Sequence, residues 1–141
     1  DSLNISFKDF GIQNFIDIAH FVNVQKSLEL VQISHEGLFI HLILNELQAH
    51  AKSLRFLKFN HVDFYWVQSF ESLVELKNLE VLHFIECKNI RINAIWPLIT
   101  STFNNLDEVL VKDTDCTILE NWAKIQQVKV FNQKLAIQKF S

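Results

Sequence analysis

The sequence has few of the residues that build tight turns, with two glycines and one proline among 141 residues. Folds made only of hairpins use glycine and proline at many turns, so this composition disfavours an all-β protein. Cysteine is also scarce, because Cys87 and Cys116 are too few for a disulfide framework. We therefore interpret both as buried free thiols and expect an intracellular protein, in the cytoplasm or the nucleus.

The chain also contains no methionine, no basic tract and no long apolar run. A chain without an initiator methionine is expected to be a segment of a longer protein. The net charge of −3 and the lack of a basic tract argue against a nucleic-acid partner. The longest apolar runs, 38–40 and 42–44, are far shorter than the roughly 20 residues of a membrane span, and no signal peptide is apparent. We therefore expect no membrane partner either.

Sequence patterns typical of catalysis are missing as well. Gly11 and Gly37 stand alone, so they cannot form a glycine-rich phosphate loop. The motifs Gly-x-Ser-x-Gly and His-Glu-x-x-His are absent, because no second histidine follows His35 and Glu36 one helical turn later. The sequence therefore predicts a protein that is not an enzyme, with no catalytic residues, no metal ligands and no cofactor.

Apolar residues, in contrast, are abundant. They make up 49% of the chain and include thirteen phenylalanines and three tryptophans. This composition argues against a disordered chain, because so many apolar side chains can be buried together in a folded core. The length is enough for one domain with a sizeable core, which we expect to cover residues 1–141.

A short phrase recurs within the chain. Residues 53–62, Ser-Leu-Arg-Phe-Leu-Lys-Phe-Asn-His-Val, are echoed by residues 78–87, Asn-Leu-Glu-Val-Leu-His-Phe-Ile-Glu-Cys. The first apolar residues of the two copies are Leu54 and Leu79. The interval from Leu54 to Leu79 falls in the range of repeat lengths that indicates a structural unit stacked on copies of itself.

Extending the phrase along the chain gives six units. One period back from the first copy reaches Leu28, and one period forward from the second reaches Leu106. Weaker end units begin at Ser2 and, after a distinctly shorter step, at Ile125. Irregular end units are expected where a stack must be capped.

Each phrase alternates apolar and polar residues at its middle, which predicts a short strand. Between the phrases, apolar residues recur at helical spacing, most clearly in residues 39–51. The other helical faces are predicted at Ile12, Phe15, Ile16 and Ala19; at Trp66, Phe70, Leu73 and Leu76; at Ile95, Leu98, Ile99 and Phe103, with Pro97 in a first turn; and at Ile118, Trp122 and Ile125. The expected architecture is strand–turn–helix repeated, with parallel strands in register and the helices on one face.

These phrases resemble leucine-rich repeats. Counted from Leu79, the first apolar residue of its phrase, Cys87 stands in the ninth place. A cysteine there and a repeat as long as the interval from Leu54 to Leu79 resemble the cysteine-containing class of repeats in F-box and F-box-like proteins, above all fungal ones. The resemblance implies an α/β fold, a right-handed leucine-rich-repeat solenoid of about five to six strand–helix units with parallel strands. The F-box itself is not present in these residues. The ninth place departs from the family pattern in four units, so we expect no regular side-chain ladder there; the residues are Phe10, Glu36, Val62 and Thr114.

The resemblance also predicts where a partner would bind. In a leucine-rich repeat, the residues between the buried apolar ones line the concave surface. Several of these are apolar here, and exposed contiguous apolar surface often marks an interaction site. The candidate binding residues are Leu30, Gln32, Phe56, Lys58, Val81, His83, Ile85, Leu110 and Lys112. The alternative is that this face packs against another segment of a longer protein, or has no role.

Two further groups allow more than one interpretation. His35 and His61 occupy the same place in successive units, so their imidazoles are expected to lie close together, with Glu86 next in line. They would form a metal or pH-sensitive site, or be two solvated histidines that happen to align. Residues 64–66, Phe-Tyr-Trp, are interpreted as core and cap, with a ligand pocket as the alternative.

Together these patterns favour a non-catalytic scaffold that binds a protein partner of unknown identity. The resemblance implies a role like that of the substrate-recognition domain of an F-box-type ubiquitin-ligase adaptor, which would contact the ligase through a domain outside this chain. One alternative is a structural or self-assembly segment without an independent partner. Another is an enzyme-regulating domain of the GTPase-activating kind, for which only Arg55 and Arg91 are available as arginines.

Overall fold

The computed structural model describes residues 2–6, 12–35, 37, 40–112, 114 and 135–138. Within these residues the chain alternates between strands and helical segments. The strands are β1 Ser2–Ser6, β2 Leu30–Ser34, β3 Phe56–Asn60, β4 Val81–Ile85, β5 Glu108–Lys112 and β6 Leu135–Gln138. The helices are α1 Ile12–Val24, α2 Ile40–Glu46 and α3 Ile92–Pro97, with 3₁₀ turns at Leu47–His50 and Glu71–Leu73 and a π turn at Leu98–Thr102.

The described strands form a single six-stranded sheet in sequence order, and every neighbouring pair is parallel. This confirms the predicted α/β fold with parallel strands. Parallel neighbours must be joined by crossovers, and helical segments lie in the described connections between β1 and β5. The register at the centre is the predicted one, since Leu30, Phe56, Val81 and Glu108 lie side by side.

The predicted register is wrong at both ends of the sheet. Ser2 pairs with Leu30, where the repeat predicted Asn4. A shift of two positions keeps the same side chains on each face of a strand, so the alternation of apolar residues cannot tell the two registers apart. At the other end Val109 pairs with Leu135, one regular period later, where the shorter final step predicted Val128. The phrase predicted from Ile125 lies outside the described residues.

The core lies on one face of the sheet. The second and fourth residues of the central strands are fully buried there, and they join the apolar sides of the helical segments in one cluster. The strand members are Val31, Ile33, Leu57, Phe59, Leu82, Phe84, Val109 and Val111. Because side chains alternate along a strand, the first, third and fifth residues point to the opposite face. We call this opposite face the open face.

The helix predicted in residues 39–51 is confirmed as α2 and its 3₁₀ extension, with Ile40, Ile43 and Leu47 buried. The helix predicted from Trp66 is wrong. That segment contains turns and one 3₁₀ turn, Glu71–Leu73. At its start the Asp63 carboxylate accepts a hydrogen bond from the Tyr65 N–H, which favours a turn over a helix there.

Pro97 also differs from its predicted place. It ends α3 and precedes the π turn, whereas a first-turn position was predicted. The apolar residues around it, Ile95, Leu98, Ile99 and Phe103, are buried as expected. The helix predicted around Ile118 and Trp122 lies outside the described residues.

Candidate functional site

The open face presents its side chains in three rows that cross the central strands. Neighbouring rows are about 7 Å apart along a strand, and neighbours within a row about 4.8 Å. The first row is Leu30, Phe56, Val81 and Glu108; the second is Gln32, Lys58, His83 and Leu110; the third is Ser34, Asn60, Ile85 and Lys112. All nine predicted binding residues lie in these rows and are partly exposed.

The apolar members of the open face form one patch. Leu30, Phe56 and Val81 are direct neighbours in the first row. Leu110 lies diagonally between Val81 and Ile85, which connects the first row to the third. Diagonal neighbours on a sheet remain within reach of long side chains. The structure therefore brings the five predicted apolar residues together.

His83 lies inside this patch and is already paired. Its Nε2 contacts the Glu108 carboxylate of the neighbouring strand, and 14% of its side chain is exposed. The sequence placed His83 on this face but gave no sign of its partner. The pair places a polar contact among the apolar side chains of Val81, Ile85 and Leu110.

An ion-pair network borders the first row where the strands begin. Arg55 binds Glu80 through two of its guanidinium nitrogens and lies 3.7 Å from Glu29. The hydrogen bond from Arg55 lowers the pKa of the Glu80 carboxyl. The guanidinium also lies 5.3 Å from the centre of the Phe56 ring, so it restricts where that ring can lie.

Arg91, the other arginine, is held by the chain itself. Its guanidinium donates hydrogen bonds to the Tyr65 and Val67 carbonyls at 3.0 and 2.8 Å. Both arginines that an enzyme-regulating domain would use therefore have contacts within the chain.

Histidines mark the edge of the open face where the strands end. The rings of His35 and His61 stack with centres 4.7 Å apart and planes 16° apart, which confirms that they lie close together. His61 Nε2 lies 2.5 Å from the Glu86 carboxylate. All three residues have positive φ, from 52° to 57°, because each turns the chain out of a strand. In the described part of the chain, no three His, Cys, Asp or Glu residues are grouped to hold a metal ion.

The ninth place of the repeat makes hydrogen bonds that the sequence did not suggest. The Cys87 thiol donates to the Phe59 carbonyl at 3.5 Å, and the Thr114 hydroxyl donates to the Phe84 carbonyl at 3.0 Å. Phe59 and Phe84 are paired in the sheet, so the two bonds are equivalent. A short ladder therefore joins these two units, which is less than the regular ladder that the family pattern would give. Val62 has the same place one unit earlier and is buried without a side-chain donor.

Cys87 is a buried free thiol, as predicted; Cys116 lies outside the described residues. Burial raises the pKa of the Cys87 thiol to about 12, from an ordinary value near 9. Above pH 9 the unfolded chain loses this proton and the folded chain keeps it. The stability that the thiol contributes is thus complete below about pH 9 and decreases as the pH rises towards 12.

We expect the free energy of unfolding to fall with pH in this alkaline range by about 1.4 kcal/mol per pH unit more in the wild type than in Cys87→Ala. Urea denaturation at several pH values measures both slopes. The titration of lysine and tyrosine affects both proteins alike, because Cys87→Ala retains all of those groups. Parallel pH profiles in the two proteins would contradict the buried position of the thiol.

The aromatic segment 64–66 divides between the core and the surface. Phe64 is fully buried, with its ring centre 5.1 Å from that of Phe59. Tyr65 and Trp66 are 53% and 58% exposed and contact each other edge to face. The core interpretation is confirmed for Phe64 and wrong for Trp66, whose predicted place is taken by the buried Val67.

His50 is a structural residue that no sequence pattern indicated. It is 2% exposed, and both ring nitrogens bind backbone groups. Nδ1 lies 3.4 Å from the Leu28 N–H, and Nε2 lies 2.6 Å from the Val22 carbonyl. Nδ1 accepts the hydrogen bond from the Leu28 N–H, and Nε2 therefore donates to the Val22 carbonyl. His50 thus joins the end of α1 to the start of β2.

Among the described residues, no helix has the length and apolar character that crossing a membrane requires. No protein-family model, no curated protein and no solved structure matches the chain. The open face and the repeat pattern are therefore the features of the chain that bear on its function.

Proposed function

We propose that this chain is a leucine-rich-repeat solenoid that binds a protein partner through its open face and has no catalytic role. The observation that carries the proposal is the patch of Leu30, Phe56, Val81, Ile85 and Leu110, which is partly exposed on a sheet whose other face is a closed core. Exposed, contiguous apolar surface on a rigid scaffold is typical of interaction sites.

The regular strand register supports the solenoid. Equivalent residues recur at nearly equal intervals along the chain, from Leu30 to Phe56 and from Phe56 to Val81. Each unit contacts mainly its neighbours, so substitutions on the open face alter the binding surface without altering the core. Such a scaffold suits recognition of a substrate on behalf of a ubiquitin ligase, inside the cell, which is what the resemblance to F-box proteins suggests.

Replacing the exposed apolar residues should remove binding and spare the fold. We expect Phe56→Ala with Leu110→Ala to reduce capture of the partner about tenfold or more, because aromatic anchors dominate interfaces. The free energy of unfolding should change by about 1 kcal/mol or less. Quantitative mass spectrometry of proteins bound to the immobilised chain measures the first effect, and urea denaturation the second.

The matched control is Phe21→Ala with Val24→Ala, which removes exposed apolar side chains from α1. Capture should be unchanged in this variant. If the open-face variant captures the same proteins in the same amounts, the proposal is wrong. If sedimentation shows that the wild type self-associates and the open-face variant does not, the face serves self-assembly instead.

A further inference from the structure

Charge is unevenly distributed along the strands of the open face. Where the strands begin, Glu29 and Glu80 flank Arg55, and each forms an ion pair with it. Further along the same strands the charged residues are Lys58 in the second row and Lys112 in the third. The first row and its border are thus acidic to neutral, whereas the second and third rows carry the two lysines.

Two carboxylates on or beside the neighbouring strands are already engaged. Glu108 binds His83, and Glu86 binds His61. Within the part of the chain that the structure describes, neither Lys58 nor Lys112 has an ion pair. The chain as a whole carries a net charge of −3. The positive charge of these two lysines is therefore local to the open face and opposite in sign to that of the whole chain.

We propose that the open face takes an extended, acidic segment of the partner protein in which Asp or Glu lies two positions away from an apolar residue. This inference rests on the proposed function. Apolar side chains of the segment would lie on Leu30, Phe56 and Val81, and its carboxylates would pair with Lys58 and Lys112. Potentials of opposite sign across an interface favour one partner and one orientation over others.

The spacing of the open face fits such a segment. Lys58 lies two positions beyond Phe56 on the same strand, about 7 Å away, and alternate side chains of an extended peptide are separated by the same distance. An apolar residue and a carboxylate two positions apart in the peptide can therefore contact Phe56 and Lys58 together. The acidic start of the strands repels a carboxylate, so the acidic residue of the segment would lie towards the strand ends.

A random library of short peptides displayed on phage tests this inference. We expect selection on the wild-type chain to enrich peptides with Asp or Glu two positions away from an aromatic or aliphatic residue. The variant Lys58→Glu with Lys112→Glu should instead enrich Lys or Arg at the same distance from the apolar residue. The matched control, Lys52→Glu with Lys77→Glu, has the same change in charge at exposed turn positions and should keep the acidic preference.

An acidic peptide selected in this way, made synthetically, should bind the charge-reversed variant about tenfold or more weakly by fluorescence anisotropy. Its affinity for the wild type should fall as salt is raised from about 0.05 M to about 0.5 M, because exposed charge pairs are screened. Lys58→Gln with Lys112→Gln should give an intermediate loss of affinity for the acidic peptide. This variant replaces the charge-reversed one in the test if charge reversal prevents folding.

Two results would overturn the inference and separate it from the proposed function. If selected peptides are apolar without an acidic preference, and Phe56→Ala with Leu110→Ala abolishes their binding, the face binds protein but not an acidic segment. If no selected peptide depends on the open face at all, both the inference and the proposed function are wrong.

Discussion

Phe59→Ala is expected to lower the free energy of unfolding by about 3–5 kcal/mol. Phe59 is fully buried at the centre of the sheet, and its ring packs edge to face on Phe64 and stacked on Phe84, with centres 5.1 and 5.4 Å away. Removing the ring loses its burial and these two aromatic contacts, and it leaves a cavity that neighbouring units in register cannot close.

The matched control lies on the same strand. Phe56 is the same residue type three positions earlier, on the open face, and Phe56→Ala should cost about 1 kcal/mol or less. Urea denaturation of both variants gives the comparison. Since domains of this size have total stabilities of about 5–15 kcal/mol, Phe59→Leu provides a milder substitution if the alanine variant does not fold. A larger cost for Phe56→Ala than for Phe59→Ala would mean that the two faces are assigned the wrong way round.

His50→Ala should cost about 2–5 kcal/mol, although histidine is rarely a core residue. The imidazole supplies partners for the Leu28 N–H and the Val22 carbonyl, and water has little access to either group once the site is closed. Alanine would leave a buried donor and a buried acceptor unpaired and would add a cavity.

Hydrogen exchange locates this second effect. The Leu28 amide should exchange faster in His50→Ala than in the wild type, and urea denaturation should show the loss of stability. His41→Ala removes an exposed imidazole from α2 and should change the free energy of unfolding by less than about 0.5 kcal/mol. A His50→Ala variant as stable as His41→Ala would refute the bridging role of His50.

The sequence predicted the centre of this fold well because the signal there is strong. Leu57, Phe59, Leu82 and Phe84 occupy the same apolar positions of a phrase that begins at Leu54 and Leu79, and aligning the whole phrase gives the observed register. The ends of the sheet have weaker patterns. Near Ser2 two registers put the same residues on each face, so the alternation does not choose between them. At the other end β6 begins at Leu135, later than the shorter final step of the repeat predicted.

The sequence predicted which residues lie on the open face wherever it predicted the strand register correctly. Its rows follow from strand alternation, and the nearness of His35 and His61 follows from their equivalent places in successive units. Side-chain pairs between units, such as His83 with Glu108, depend on rotamers and on which acceptor lies within reach. A repeat pattern contains no such information, and the same holds for the contacts of His50.

The central claim, that a protein partner binds on the open face, is tested most directly by photo-crosslinking from defined positions. A photoreactive phenylalanine analogue would replace Phe56 in one variant and the exposed Phe21 of α1 in another. Each variant would be exposed to cell extract and light, and its adducts identified by mass spectrometry. We predict a discrete protein adduct from position 56 and none from position 21. Adducts from position 21 with none from position 56 would contradict the claim.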